Sequence, residues 1–301
     1  MKNPNILFVM ADDMGYWSMG CAGNKEVQTP NLDRLAEEGM YFPEYFCTSP
    51  VCSPARASVL CGKMPSGHGV LDWISKGHIN YEDVASDLRK AHQDPRAPWE
   101  YAWSKQQLEG DKAIRYMEGL RTYTDILAEH GYICGLAGKW HLGDAGCPQH
   151  GFSYWEPLAM GGDNYFYPVV LRDGKFDMLR HTYITNYITD KALDFLRNRD
   201  TEKPFYLSVH YTAPHSPWER NQHPEEFYDL YQDCPFVETP NVPPHKWGHA
   251  YSQEERRKRL QGYYAAVTAM DSDIGKLVGY LKKDGLWDDT IVIFTADNGM
   301  S

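Results

Sequence analysis

Four short apolar runs, each leading into polar residues, constrain this chain more than any other feature. They are residues 5–11 (NILFVMA), 132–137 (YICGLA), 205–211 (FYLSVHY) and 290–296 (TIVIFTA). Unbroken apolar runs of this length suit strands buried on both faces, and such strands belong to parallel sheets covered by helices. Helical segments lie between them. Thr29 as cap and Pro30 at the first position open one that stops at Gly39, and another starts at Cys52. Residues 122–129 and 182–197 follow, and Ser252-x-x-Glu255, a capping box, opens a long helix reaching Lys283. The order predicts an α/β chain with a mainly parallel central sheet flanked by helices. No repeat, low-complexity tract or linker divides it, so residues 1–301 read as one domain.

Each run ends in chemistry. The first ends in Asp12-Asp13, the second leads to Lys139 and His141, the third to His215, and the fourth to Asp297-Asn298. Ligands of open α/β sheets bind outside the carboxyl ends of the strands, so these groups are expected at one edge. The Cys52 helix can join them. Pro54 and Arg56 fall in its first turn, where free N–H groups, the helix dipole and a guanidinium make an anion site. Three carboxylates and an amide oxygen form a hard set suited to Ca²⁺ or Mg²⁺. With Arg56, Lys139, His141 and His215 opposite, the pocket suits a tetrahedral oxyanion bridging to a metal. Each piece alone has an ordinary reading: a small buried cysteine, an acid pair in a turn, a solvated loop. Only their joint placement at strand ends asks for a function.

Composition narrows the partners. The net charge of −11 argues against nucleic acid, and an anionic substrate must be drawn by local cations. The seven cysteines are odd in number and show no C-x-x-C spacing, which points to free thiols and a reducing, cytoplasmic compartment. An export signal already removed would leave the same trace, and no stretch is long enough to span a membrane. Trp73, Trp99, Trp103, Trp218 and Trp247 fall near predicted loops and suggest a sugar-facing cleft. Residues 66–111 read as loops with short helical pieces, residues 172–175 as a hairpin turn, and residues 216–250 as a lid or cleft wall.

These residues carry a family resemblance. Cys52-x-Pro54-x-Arg56, followed by Ser58 and Gly62-Lys63, resembles the sulfatase signature. Residues 5–8 with Asp12-Asp13-Met14-Gly15, and residues 29–36 (TPNLDRLA), resemble the N-terminal block of the same family. Gly138-Lys139-Trp140-His141-Leu142-Gly143 resembles its second signature, and Asp297-Asn298-Gly299 its late metal motif. The resemblance implies an alkaline-phosphatase-like fold and hydrolysis of sulfate esters to inorganic sulfate and an alcohol such as a sugar or aryl alcohol. It implies that a formylglycine-generating or anaerobic maturation enzyme oxidises Cys52 to formylglycine, an aldehyde that works as its hydrate. Asp12, Asp13, Asp297, Asn298 and the modified Cys52 would hold Ca²⁺, with Mg²⁺ as the other candidate. One hydrate oxygen would attack sulfur, and Arg56 and Lys139 would steady the charge. His215 would protonate the leaving oxygen. His141 would help deprotonate the second hydroxyl, which then expels sulfate.

The family pattern continues past the Asp-Asn-Gly block with a further lysine and a smaller C-terminal subdomain. The 301 residues contain neither, so the chain reads as the N-terminal catalytic portion, truncated at its C-terminal end. Two other readings stay open: a phosphonate or phosphate monoester hydrolase of the same superfamily, and a truncated, non-catalytic remnant.

Overall fold

In the computed structural model, residues 3–240 and 251–300 are described. The four apolar runs form strands β1 (Asn5–Ala11), β2 (Ile133–Gly138), β6 (Phe205–His210) and β7 (Thr290–Ala296). Three more strands are β3 (Phe152–Pro157), β4 (Val169–Arg172) and β5 (Lys175–Met178). The central sheet has the order β3-β2-β6-β1-β7, and every neighbouring pair in it is parallel. β4 and β5 make the expected hairpin, separate from that sheet.

The helices are α1 (Pro30–Glu38), α2 (Cys52–Cys61), α3 (Pro65–His68), α4 (Ser86–Gln93) and α5 (Trp99–Leu108). They continue as α6 (Tyr123–Glu129), α7 (Ile184–Asn198), α8 (Glu225–Asp229) and α9 (Gln253–Lys283). Alternate residues of β1 enter two different core layers, because successive strand side chains point to opposite faces. Leu7, Val9 and Ala11 pack with residues of α7 and α9, whereas Phe8 and Met10 pack with Ala57 and Leu60 of α2. The parallel α/β expectation is therefore borne out.

Register is what positions the site. Met10 pairs with His210, Ala11 with Ala296, and Gly138 with His210. The four strands thus stop together, and the residues that follow them emerge at one edge.

Local details differ from expectation. Thr29 does not cap α1; its hydroxyl instead accepts from Gly20 N–H at 2.9 Å and donates to Asp33 at 3.0 Å. The free N–H groups of Asn31 and Leu32 are taken by the Asp271 carboxylate of α9, at 3.1 and 2.8 Å. A long-range acid outcompetes the local cap because both of its oxygens reach the helix end at once. The capping boxes at Thr122/Asp125 and Ser252/Glu255 both form. Trp99 and Trp103 lie on α5, not on loops, and Trp218 packs against Tyr263 of α9. Trp247 and residues 241–250 of the expected lid lie outside the described residues. Residues preceding them dock on α9, where Gln261 donates to Tyr228 O at 2.8 Å.

Candidate active site

Cys52 opens α2, and the helix closes on Gly62, whose positive φ of 65° lets its N–H reach Ser58 O at 2.8 Å. The helix is buried along most of its length, and Arg56 with it. A buried guanidinium must find partners for its donors. Arg56 Nε donates to Asp297 Oδ2 at 2.9 Å, Nη2 to Asp12 Oδ1 at 3.2 Å, and Nη1 to Lys139 O at 3.0 Å. One side chain thereby joins the ends of β1, β2 and β7.

Lys139 is fully buried, and its Nζ donates to Asp12 Oδ2 at 2.5 Å. Burial, the largest influence, would lower its pKa, but the negative charge around it, Asp12 first and with it Cys52 and Asp297, holds the ammonium above its ordinary value. Burial pushes the Asp12 carboxyl upward too, yet Lys139 and Arg56 together bring it below its ordinary value. Asp297 goes the other way: burial first, then the like charge of Asp12, raise it to about 6. The three carboxylates crowd one another, since ligand oxygens of Asp12, Asp13 and Asp297 lie within 4.8 Å of one another.

Such a set fits a hard divalent cation, whose charge would relieve the crowding that raises Asp297. Cys52 Sγ is 3.6 Å from Asp13 Oδ1, and the Asn298 amide stands 3.8 Å from that sulfur. Asn298 Nδ2 also donates to Asp297 Oδ1 at 3.0 Å. An amide turned over would present oxygen in place of nitrogen, as a cation requires. Cys52 Sγ and a His215 ring nitrogen also lie within 4.8 Å of an Asp12 oxygen. Burial raises the Cys52 thiol far above the usual range; Lys139 opposes this and the carboxylates add to it. The environment therefore disfavours a thiolate, and Cys52 as a plain thiol nucleophile is poorly served here.

His215 sits at the rim, its side chain 28% exposed, with Nε2 3.6 Å from Asp13 Oδ2. Its Nδ1 donates to Ser216 O at 2.7 Å. His141 is buried beside Lys139 in sequence, but its ring turns to Ile74 O, 3.0 Å from Nε2. Asp13 and His141 both adopt left-handed backbone, with φ of 57° and 55°. Non-glycine residues hold that conformation only where their surroundings impose it.

Three neighbours of the site carry no motif. His210, at the end of β6, donates from Nδ1 to Lys139 O at 3.1 Å while its own carbonyl accepts from Lys139 N–H at 2.8 Å. Burial, helped by the Arg56 charge, lowers it to about 3, so the ring is neutral. His78 packs on His141 with ring centres 5.5 Å apart. Gly161 lies flat on the His141 ring: a Cβ there would come within 2.1 Å of Nε2. A histidine closing a core strand was the one readable signal among them; the other two are tertiary neighbours.

The sulfatase family model matches residues 4–301. N-acetylglucosamine-6-O-sulfatase of Bacteroides thetaiotaomicron is 29% identical over 99% of this chain and 58% of its own length. Human N-acetylgalactosamine-6-sulfatase is 30% identical over 98% of this chain and 50% of its own. Among solved structures, a putative sulfatase of Bacteroides fragilis aligns with TM-score 0.73 and 25% identity, covering 99% of this chain and 62% of that one. A structure holding its substrate D-glucosamine-2-N,6-O-disulfate aligns with TM-score 0.65 and 26% identity, covering 99% and 66%. The chain belongs to the sulfatase family, and it spans between half and three fifths of the length of the two curated relatives named.

Proposed function

We propose that this site hydrolyses sulfate monoesters of sugars, releasing inorganic sulfate and the sugar alcohol. The observation that carries this is Arg56, which binds Asp12, Asp297 and the Lys139 carbonyl at once, beside Cys52. That arrangement sets fixed positive charge and crowded carboxylates around one buried residue, as an oxyanion substrate with a bridging cation would need.

In this reading Cys52 is the formylglycine precursor, and Asp12, Asp13, Asp297, Asn298 and the modified residue hold Ca²⁺. The bound cation would supply neutralising charge to sulfate oxygens, and the aldehyde hydrate would supply the nucleophilic oxygen. The remaining work falls to the chain's own groups. Arg56 and Lys139 are locked in place before substrate arrives, so they stabilise developing charge without reorganising. Their burial keeps water from weakening that effect. His215, at the rim, can deliver a proton at Nε2 to the leaving alcohol oxygen, since Nδ1 is committed to Ser216 O. Trp73, 54% exposed and edge-on to His141, offers an apolar face where a sugar ring would leave. The relatives' names, two of them amino-sugar 6-sulfatases, support the sugar class.

The test is side-by-side turnover of aryl sulfate, phosphate and phosphonate esters, with sugar 6-sulfates beside them and Cys52→Ala as control. Mass spectrometry of the Cys52 peptide, from protein made in its native host, accompanies it. Sulfate turnover lost in Cys52→Ala, with formylglycine at position 52, is the expected result. A clear preference for the phosphorus esters would overturn it, and an unmodified thiol with no turnover would favour a non-catalytic chain.

A further inference from the structure

The His141 ring nitrogens are not equivalent. A carbonyl oxygen can only accept, so the 3.0 Å contact between Nε2 and Ile74 O requires the proton on Nε2. In the neutral ring, Nδ1 is then a bare lone pair, and Nδ1 is buried without a hydrogen-bond partner. The tautomer is therefore decided by wherever the Ile74 carbonyl is held.

Ile74 is held by the helix that carries Cys52. Its N–H donates to Ser53 Oγ at 3.2 Å, and Ser53 is fully buried in the first turn of α2. The connection runs from Ser53 Oγ to the Ile74 peptide and on to His141 Nε2. The ring has little freedom besides this, with Gly161 flat against it, His78 tilted on it and Trp73 at its edge.

We infer that Ser53 is a positioning residue: through the Ile74 peptide it holds His141 in the Nε2–H tautomer, leaving Nδ1 to accept a hydrogen bond from a hydroxyl in the site. The same helical turn would then place the reactive residue and set the donor–acceptor sense of the histidine. The role assigned to His141 during turnover rests on the sulfatase reading; the tautomer does not.

Two measurements on the full chain separate these. The first is ¹⁵N NMR of histidine-labelled protein, with His141→Gln used to assign the ring signals. Wild type and Ser53→Thr are expected to show one tautomer at His141, and Ser53→Ala a mixture. The second is aryl sulfate turnover, normalised to formylglycine content measured by mass spectrometry. Ser53→Ala is expected to lower kcat roughly 10–100-fold with KM nearly unchanged, and Ser53→Thr to restore it. An unaltered tautomer in Ser53→Ala overturns the inference, as does an unaltered kcat. If no variant or wild type turns over sulfate, the NMR result still decides the tautomer, and only the sulfatase reading falls.

Discussion

Removing Arg56 tests the electrostatics of the site most directly. Its side chain is 2% exposed and its two carboxylate partners are 0% exposed, at 3.2 Å from Asp12 and 2.9 Å from Asp297. Arg56→Ala leaves Asp12 with Lys139 as its remaining cation and Asp297 with only neutral donors, the Asp13 and Asn298 N–H groups and the Asn298 amide. Stripping one partner from a buried ion pair costs about 3–5 kcal/mol. Unfolding entropy is roughly 2.1 cal/mol/K per residue. For the 301 residues of this chain, each kcal/mol then shifts the melting temperature by about 1.6 °C. The expected loss is about 5–8 °C, read by scanning calorimetry in the presence of a chelator. Adding Asp297→Asn to Arg56→Ala should recover at least about 1 kcal/mol, because it removes a buried carboxyl that without Arg56 must stay charged unpaired or take up a proton, while keeping the shape. Calcium should recover stability in Arg56→Ala as well, by mass action on the folded state alone. A single variant melting within about 1 °C of wild type in chelator, or a double variant melting below the single, would refute the reasoning.

Three further outcomes follow from the same geometry. Gly161→Ala forces a Cβ to within 2.1 Å of His141 Nε2, so the ring must move; kcat should fall at least tenfold at an overpacking cost of about 1–3 kcal/mol, and unchanged kinetics would mean the ring is not needed where it sits. Trp73→Ala should raise KM for a sugar sulfate by roughly tenfold, the size expected for about 1.4 kcal/mol of lost apolar contact, while leaving KM for a small alkyl sulfate unaltered; an equal rise for both would remove Trp73 from sugar recognition. His223, which burial lowers to about 3, binds protons in the unfolded chain from about pH 6.5 downward but stays neutral in the fold. Its stabilising contribution is complete above that pH and is lost as pH falls. Relative to His223→Gln, wild type should therefore lose about 1.6 kcal/mol between pH 6.5 and 5 in denaturant titrations. Parallel stability curves for the two proteins would contradict the assignment.

What the sequence made legible, and what it hid, follows from where information resides in a chain. Strands β1, β2, β6 and β7 could be read because each is a mostly apolar run, and β1, β2 and β6 are buried on both faces. Even so, β7 lies at the sheet edge, with Ile291 and Ile293 48% and 40% exposed, so its apolar run overstates its burial. β3 escaped notice because it is the other edge strand, and FSYWEP mixes buried with exposed positions. The chemistry at the strand ends was legible because parallel register brings strands to a common edge, and Ala11, Gly138, His210 and Ala296 do stop together. Backbone acceptors were not legible at all. Lys139 O takes bonds from both Arg56 and His210, and Ile74 O fixes the proton on His141, yet a carbonyl is present at every residue and marks none. A motif such as C-x-P-x-R therefore names the side chains of a site without saying which peptide groups orient them. Ser53 fills an x of that pattern, and the structure gives it a bond to one of those peptide groups. An unspecified position of one signature can thus orient a specified residue of another, whereas Arg56 is oriented by motif residues themselves, and a substitution at Ser53 should alter turnover more than binding.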